Sequence, residues 1–313
     1  MQKQRNKRLS VVIIAITPFT KDGRLDEPAF RLQLQRLNRP EASVYVAGSA
    51  TGEVNALSRE ERSQVMAIAA EELKGKIPVR AMGAEPRTAN EMVEFLHDAK
   101  ASGLEAAQVF SLDMGHGAKP TYAEMEHYYR TVVESTDINI YLSSHRTVGY
   151  FLPLDLIESL VARYPTIAGV AYGGPDIPYL AELIRRVGDR IEVHCAGPGN
   201  ALSSLGLGGN GFMGGEGNIS PEMVTSVISA FAAGDRNALR RNFDRLMAFA
   251  AIYVRFGGAT MRGMKPLMNA FGLPGGELRP PRMPISDADL RQFIAEVEKL
   301  NLPGLPPRAT LPL

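Results

Sequence analysis

The sequence predicts an α/β fold, a (β/α)8 TIM barrel followed by a C-terminal helical extension. Short apolar runs alternate with longer amphipathic segments, which is the pattern of βα units around a parallel sheet. About eight strand candidates fit into roughly 220 residues without a long linker or a low-complexity break, as a single barrel requires. A doubly wound sheet is the alternative, and the missing G-x-G-x-x-G turn after the first strand disfavours it.

The alternation of apolar and amphipathic segments sets the order of the elements. The predicted strands cover residues 11–17, 43–47, 79–83, 106–110, 138–142, 168–172, 191–196 and 211–215. The helical patterns between them include residues 89–102, 122–135, 154–163 and 177–187. Two further helices are predicted at 221–249 and 287–300, joined by a Gly- and Pro-rich connection at 272–284. We therefore place the barrel at residues 1–225 and a helical extension packed on it at 226–313.

Composition excludes two classes of partner. The 313 residues are 45% hydrophobic and 22% charged with a net charge of +1, which fits a compact enzyme-sized chain. The charges are scattered, so no basic stripe for nucleic acid and no basic amphipathic segment for a membrane is predicted. The apolar run before Pro18 is short for a signal peptide, and we interpret it as the first strand. The single cysteine, Cys195, excludes an intrachain disulfide and suits a cytoplasmic protein.

The most informative stretch is SVYVAGSATGEVNALSREER at 43–62. A β-branched run ends in a turn of small residues, and Ser58 stands three residues before Glu61, the spacing of a capping box at a helix start. A strand, a polar loop and a capped helix are therefore predicted. Gly52 allows a ligand to approach the backbone, and Thr51 lies where parallel α/β folds place their chemistry.

The ordered motifs resemble those of the dihydrodipicolinate synthase and N-acetylneuraminate lyase family of pyruvate-handling aldolases. The resemblance covers nearly the whole chain and rests on AITPFTKDGRLD, GSATGEVNALSREER, Tyr141 with HRTVG, IAGV, GGNGFMGGEGNISPE and MKPLMNAFGLPGGELRPPRMPIS. It implies a (β/α)8 barrel that forms homotetramers or dimers. It also implies a Schiff base between a lysine of the sixth strand and a 2-oxo acid such as pyruvate.

The lysine that this resemblance implies is missing. An amine in an apolar barrel attacks a ketone, and the resulting iminium accepts electrons. The family pattern in the sixth strand is apolar, Gly, apolar, Lys, whereas this chain reads A-G-V-A and ends at Ala171. A shift of one place brings Tyr172 there, and a phenol forms no imine with a ketone. Lys21 and Lys119 fall in predicted loops, and the family places the segment of Lys265 outside the barrel centre.

The same resemblance implies roles for five residues. Tyr141 and Thr51 are the expected catalytic residues that transfer protons, and Arg146 is expected to bind a substrate carboxylate. Gly52 and Met213 complete the expected substrate-binding set. From the residues alone, Tyr141 fits a core tyrosine equally well, and Arg146 fits a surface or helix-capping arginine.

No cofactor or metal site is predicted. His145, His194 and Glu216 stand near predicted strand ends, but their spacing matches no ligand motif.

Two parts of the synthase proton relay are also missing. Ala50 replaces one hydroxyl residue, and the segment after the fourth strand, SLDMGHGAKP, offers no tyrosine.

Two functions remain open. The first is a lyase-type enzyme, cleaving carbon–carbon bonds or acting as a hydro-lyase, for a small 2-oxo or hydroxy carboxylate without the lysine imine. The alternative is a non-catalytic protein on the same scaffold, which binds a small molecule or assembles with a partner chain. Either one is expected to be a homo-oligomer that binds a small carboxylated substrate or ligand.

Overall fold

The computed structural model describes residues 8–308. Eight parallel strands are hydrogen-bonded in chain order as a closed barrel, and helices connect them, so the predicted (β/α)8 fold with C-terminal helices is confirmed. The strands are β1 (Ser10–Ile14), β2 (Ala42–Val46), β3 (Val79–Met82), β4 (Ala106–Val109), β5 (Asn139–His145), β6 (Ile167–Gly173), β7 (Glu192–Ala196) and β8 (Gly211–Gly214).

Within the same residues the helices begin and end close to the predicted limits. The α-helices are α1 (Glu27–Leu37), α2 (Ser49–Gly52), α3 (Arg59–Leu73), α4 (Ala89–Ala101), α5 (Tyr122–Glu134), α6 (Leu154–Arg163), α7 (Ile177–Val187), α8 (Ala201–Gly206), α9 (Pro221–Ala232), α10 (Arg236–Arg255), α11 (Met264–Ala270) and α12 (Asp287–Glu298). Short 3₁₀ turns lie at Val54–Ala56, Arg146–Val148, Pro198–Asn200, Glu216–Asn218 and Gly258–Thr260.

The chain divides into two compact units. The first contains Val79–Met213 together with the described residues up to Ser10, and the second contains Val11–Pro78 and the described part of the chain from Gly214 onward. The core of the first unit lies around β3 to β7, most of whose residues are buried. The second unit buries β1 and β2 and the apolar faces of α1, α3, α9 and α10. The domain boundary at residue 225 stays a prediction.

The register of three neighbouring strands of the first unit fixes which side chains share a face. Tyr141 of β5 lies opposite Gly169 of β6, after an irregularity in the pairing between Ile140 and Tyr141. Ala171 lies between Ser143 of β5 and His194 of β7. Since successive side chains of a strand point to opposite faces, Tyr172 cannot share the face of Ala171.

The helix starts explain why the sequence pattern predicted them well. The Ser58 side chain accepts a hydrogen bond from the Glu61 backbone N–H, and the Glu61 carboxylate accepts one from the Ser58 N–H, so the predicted capping box is confirmed. Asp176 caps α7 in the same way and is followed by a proline within the first turn, where no backbone donor is needed.

The segment predicted to be helical at 221–249 is helical with one break. The first helix, α9, ends at Ala232, and α10 begins at Arg236. Gly234 has a φ of 68°, which stops a right-handed helix, and the Asp235 side chain accepts from the Ala238 N–H to start the next one. The periodicity continues across this turn because both helices bury apolar residues.

Among residues 8–308, no helix combines the length and the apolar character needed to cross a membrane.

Candidate functional site

The loop after β2 in the second unit is built around close backbone contacts. Ala47 and Glu53 both have left-handed backbones, with φ of 58° and 55°, and α2 forms one turn between them. The Gly52 carbonyl accepts a hydrogen bond of 2.8 Å from Thr17 Oγ1. A Cβ on Gly52 would lie 3.3 Å from the carbonyl oxygen of Ala15. Gly52 therefore lets the loop pack against the end of β1, and its expected role in substrate binding stays a prediction.

Thr51 lies beside the end of β8 within this unit. It is 3% exposed. The position that a Cβ on Gly215 would take is 3.1 Å from Thr51 Oγ1 and 3.5 Å from the hydroxyl oxygen of Tyr253. Gly215 therefore packs closely between two hydroxyl groups, one from the loop after β2 and one from α10, and a larger residue there would crowd both.

Glu216 completes this cluster, which we call the β8 cluster: Thr51, Gly215, Glu216 and Tyr253. The Glu216 carboxylate folds back along the strand, because a Cβ on Gly214 would lie 2.2 Å from its Oε2. Glu216 is 8% exposed, and its Oε2 has no hydrogen-bond partner within residues 8–308. Burial raises the pKa of Glu216, although hydrogen bonds to the local backbone oppose the shift.

The Tyr253 hydroxyl is a second buried polar group without a hydrogen-bond partner in the described chain. Tyr253 is 4% exposed, and its ring stacks on Phe249 one helical turn earlier, with 5.8 Å between ring centres. Burial raises the pKa of Tyr253 well above 10, and the Glu216 carboxylate raises it further, so the phenol keeps its proton and acts as a donor. Two buried polar groups without hydrogen-bond partners lower the stability of the fold, so they are usually explained by a function or a bound ligand.

Lys265 is the buried lysine of the second unit, and its ammonium is fully occupied. The Nζ forms an ion pair with Glu53 and donates to the carbonyl oxygens of Thr17 and Glu277, both at 2.8 Å. An ammonium has three hydrogens, so these acceptors account for all of them. Burial lowers the pKa of Lys265 to about 8, with the Glu53 carboxylate opposing the shift, so the amine is protonated at neutral pH.

The remaining described lysines are exposed. They are Lys21, Lys74, Lys76, Lys100, Lys119 and Lys299. Across residues 8–308, none of these amines lies in an apolar interior of the kind that makes a lysine nucleophilic at neutral pH.

In the first unit, Ala171 is buried in β6 at 5% exposure. Tyr172 does not take the place of a side chain on the face of Ala171. Its ring stacks on Tyr179 with 4.7 Å between ring centres, and its hydroxyl hydrogen-bonds with the backbone of Asp176 at the start of α7. Tyr172 therefore packs between its strand and the following helix.

Tyr141 lies near the amino end of β5 rather than at its carboxyl end. The guanidinium carbon of Arg80 is 3.7 Å from the centre of its ring, and a Cβ on Gly169 would lie 2.4 Å from its Cδ1. Catalytic residues of TIM barrels lie at the carboxyl ends of the strands. This placement does not favour the predicted catalytic role of Tyr141, which stays a prediction.

A cavity of about 290 Å³ opens at the same amino ends. Its lining includes Arg8, Asn139, Tyr141, Asp189, Arg190 and Glu192. Glu192 pairs with the buried Arg80 at 2.8 Å, and the Asn210 side chain, also in the lining, bonds to the backbone of Val193 and Arg8. Glu192 and Asn210 of this lining thus serve internal contacts of the first unit.

The other predicted residues of the first unit lie as follows. Arg146 begins the 3₁₀ turn after β5, and its side chain lies outside the described part of the structure. Met213 is buried in β8 beside Ala196. Their expected roles in substrate binding stay predictions. Cys195 is fully buried, which raises the pKa of its thiol to about 12 and makes it unreactive.

His145 and His194 are both largely buried histidines of the first unit. Burial lowers the pKa of His145, although Glu85 lies 3.5 Å from its Nε2 and opposes the shift. His194 is 2% exposed and forms a hydrogen bond of 3.0 Å with Ser10. Among the residues that the structure describes, no group of three or more His, Cys, Asp or Glu side chains is arranged to hold a metal ion.

Sequence reasoning assigned no role to Glu216 and overlooked Tyr253. Glu216 was placed near a strand end, but the sequence gives no indication that its Oε2 lacks a hydrogen-bond partner within residues 8–308. Tyr253 follows Phe249 at the helical spacing of four, which predicts only a core-facing pair. Its position beside β8 depends on the break at Gly234, which the pattern did not predict.

Comparison with known proteins identifies the family. Residues 7–300 match the Dihydrodipicolinate synthetase family, so the chain belongs to it. The 4-hydroxy-tetrahydrodipicolinate synthase of Methanosarcina acetivorans is 28% identical over 291 residues, which are 92% of this chain and 96% of the relative. The protein of the same name from Pseudomonas aeruginosa is 29% identical over 238 residues, 75% of this chain and 80% of the relative.

Solved structures show the same fold. The E. coli K12 prophage protein YagE, a dihydrodipicolinic acid synthase family member solved in complex with pyruvate, has a TM-score of 0.85 and 22% identity, covering 94% of this chain and 99% of that chain. The N-acetylneuraminate lyase of Mycoplasma synoviae has a TM-score of 0.80 and 22% identity, covering 95% of this chain and 99% of that chain.

Proposed function

We propose that this protein is a lyase-type enzyme that acts on a small 2-oxo or hydroxy carboxylate without forming a lysine imine. Family membership supports the reaction class, because relatives that cover nearly the whole chain carry the names of a synthase and a lyase. In the same proposal the protein is a cytoplasmic homo-oligomer, a tetramer or a dimer, as the family resemblance implies.

The observation that carries the proposal is that position 171 holds no lysine and that the buried Lys265 already uses its three hydrogens in internal contacts. Position 171 in β6, where the family pattern has its lysine, is an alanine that is 5% exposed. The one buried lysine within residues 8–308 is Lys265, and its three hydrogens go to a carboxylate and two carbonyl oxygens. A protonated amine held in this way has no lone pair with which to attack a ketone.

Without an iminium, another group must accept the electron pair that leaves the carbon next to the carbonyl. Hydrogen-bond donors that are already oriented toward a developing enolate oxygen provide such stabilisation. The β8 cluster supports this part of the proposal, because it holds a buried phenol and the Thr51 hydroxyl on either side of Gly215.

Borohydride trapping tests the proposal. The protein is incubated with pyruvate or 2-oxobutanoate, reduced with borohydride, and weighed intact by mass spectrometry. We expect no covalent adduct with the wild-type chain. The matched control is Ala171→Lys, which restores an amine where the family pattern has one and is expected to give an adduct.

A second measurement tests activity. Release of pyruvate from 4-hydroxy-2-oxo acids is followed with the wild-type protein in the absence of borohydride. Pyruvate release without an adduct supports the proposal. A stoichiometric wild-type adduct contradicts the imine-free mechanism, and tight binding of 2-oxo acids without any turnover favours the non-catalytic alternative instead.

A further inference from the structure

We propose that Glu216 is the base that removes a proton from C3 of a 2-oxo acid, and that the Tyr253 hydroxyl binds the enolate oxygen that forms. This inference rests on the proposed function and names the groups of the second unit that replace the lysine imine.

The geometry of the strand end supports the assignment of Glu216. Gly214 is partly exposed, and the place of its missing Cβ is 2.2 Å from Glu216 Oε2. The carboxylate oxygen therefore lies against a partly exposed glycine at the strand end, although the oxygen itself is buried. Because this Oε2 has no partner within residues 8–308, it is free to accept a proton.

The phenol of Tyr253 supplies the second function. Its hydroxyl lacks a hydrogen-bond partner in the described chain and is 3.5 Å from the position of a Cβ on Gly215. The stack on Phe249 holds the ring in place. A donor that is fixed before the reaction begins stabilises a developing oxyanion without the cost of reorienting.

The chemical step balances within these two residues and the substrate. The C3–H bond breaks, its proton moves to the Glu216 carboxylate, and its electron pair forms the C2–C3 double bond. The π pair of the C2 carbonyl moves onto the oxygen, which accepts a hydrogen bond from Tyr253. Return of the proton from Glu216 to C3 regenerates the 2-oxo acid, so no oxidant, reductant or co-reactant is consumed.

The environment suits a base for this step. Burial of Glu216 disfavours its charged form and makes the carboxylate more basic than an exposed glutamate. A carboxylate with a raised pKa is a stronger base and removes a carbon-bound proton more effectively.

Exchange of the C3 hydrogens in D2O measures this step directly. Pyruvate or 2-oxobutanoate is mixed with the wild-type protein in buffered D2O, and loss of the C3 proton signal is followed by NMR against a protein-free blank. We expect exchange above the blank. Glu216→Gln is expected to slow the exchange by about 100-fold or more, since general bases contribute roughly this much.

Two further variants test the pair. Tyr253→Phe removes one oxyanion donor and is expected to slow exchange about 100-fold. Gly214→Ala forces the Glu216 carboxylate to move and is expected to reduce exchange even if Glu216→Gln fails to fold. The control is Glu222→Gln. Glu222 is a partly exposed glutamate that pairs with Arg39, and this variant is expected to catalyse exchange at the wild-type rate. Binding of each 2-oxo acid is measured separately by calorimetry and is expected to persist in Glu216→Gln.

The outcomes separate the two proposals. If the wild type catalyses exchange and Glu216→Gln or Gly214→Ala does so at the same rate, the role of Glu216 is overturned and the proposed function stands. Wild-type rates in Tyr253→Phe overturn the role of the phenol. If the wild-type protein neither exchanges nor cleaves any of these acids, both the proposed function and this inference are overturned.

Discussion

The carboxylate of Glu53 and the ammonium of Lys265 form an ion pair in which neither side chain has any exposed surface. Glu53 reaches this position through a left-handed backbone, with a φ of 55°. Arg282 NH1 lies 3.2 Å from the other carboxylate oxygen and extends the pair toward solvent. The pair joins the loop after β2 to α11, so it organises the second unit around two charges that water cannot screen.

Lys265→Met is expected to lower the free energy of unfolding by about 3–5 kcal/mol, because it leaves the buried Glu53 carboxylate with Arg282 alone. Guanidinium unfolding followed by circular dichroism measures this. Lys119→Met, at an exposed lysine, is the control and is expected to change stability by less than about 0.5 kcal/mol.

A double variant tests the cause of this loss. Glu53→Gln in the Lys265→Met background removes the uncompensated charge and is expected to recover part of the stability. A loss below about 1 kcal/mol in Lys265→Met would show that the pair contributes little.

His194 makes the stability of the protein depend on pH. Burial lowers its pKa from 6.5 to about 4, Arg80 and Arg8 also lower it, and Glu192 opposes them. Between these two pKa values the unfolded chain binds more protons than the folded protein, so stability falls as the pH decreases from 6.5 toward 4. From pH 6.5 to 5 we expect a loss of about 2 kcal/mol from this residue, at about 1.4 kcal/mol per pH unit.

Chemical unfolding of the wild type and His194→Gln across this pH range measures the effect. The variant is expected to lose the additional slope, while His127→Gln, at an exposed histidine, is expected to keep it. Equal slopes in the wild type and His194→Gln would contradict the assignment of this pH dependence to His194.

Much of the fold could be predicted because local patterns determine it. The helices at 154–163 and 177–187 have the predicted bounds, and the capping box of Ser58 and Glu61 is in place. A capping box and an apolar stripe depend only on residues a few positions apart, which the sequence displays directly. The missed break at Gly234 shows the limit of this reasoning, since the stripe continues through the turn.

The candidate site was much less predictable. The family resemblance implies a catalytic role for Tyr141, but the register of β5 brings it opposite Gly169 near the amino end of the strand. Glu216 Oε2 and the Tyr253 hydroxyl lack partners within residues 8–308, and this depends on contacts between residues far apart in the chain. No local pattern reports whether a buried polar atom has found a partner.

The position of Tyr141 leads to a prediction about packing. A Cβ on Gly169 would lie 2.4 Å from Tyr141 Cδ1 and 3.0 Å from the Glu192 carbonyl oxygen. Gly169→Ala is therefore expected to destabilise the protein by about 1–3 kcal/mol through overpacking. The matched control is Gly199→Ala, because a Cβ there meets no atom within 4 Å.

Tyr141→Leu provides the test of the contact. In that background the ring is absent, so Gly169→Ala is expected to cost less than it does in the wild-type chain, and a double-mutant cycle gives the difference. If the stability losses of Gly169→Ala and Tyr141→Leu are additive, the Tyr141 ring does not contact residue 169.

Gly215 leads to a prediction that joins structure and activity in the second unit. A Cβ at this position would lie 3.1 Å from both Thr51 Oγ1 and Thr51 Cγ2 and 3.5 Å from the Tyr253 hydroxyl oxygen. Gly215→Ala is expected to lower stability by about 1 kcal/mol, since contacts of this kind require only small shifts of the neighbours. Its larger effect is expected on the C3 exchange of pyruvate, because the added methyl group forces the Thr51 hydroxyl to shift and lies against the Tyr253 hydroxyl.

Thermal unfolding and the NMR exchange rate, measured on the same preparation, separate the two effects. Gly199→Ala serves again as the control and is expected to change neither. In Thr51→Ser the Cγ2 contact is gone, so the stability cost of Gly215→Ala is expected to shrink, whereas the loss of exchange is expected to remain because the methyl group still lies beside Tyr253. Wild-type exchange in a folded Gly215→Ala protein would show that the positions of the Thr51 and Tyr253 hydroxyls do not matter for the reaction.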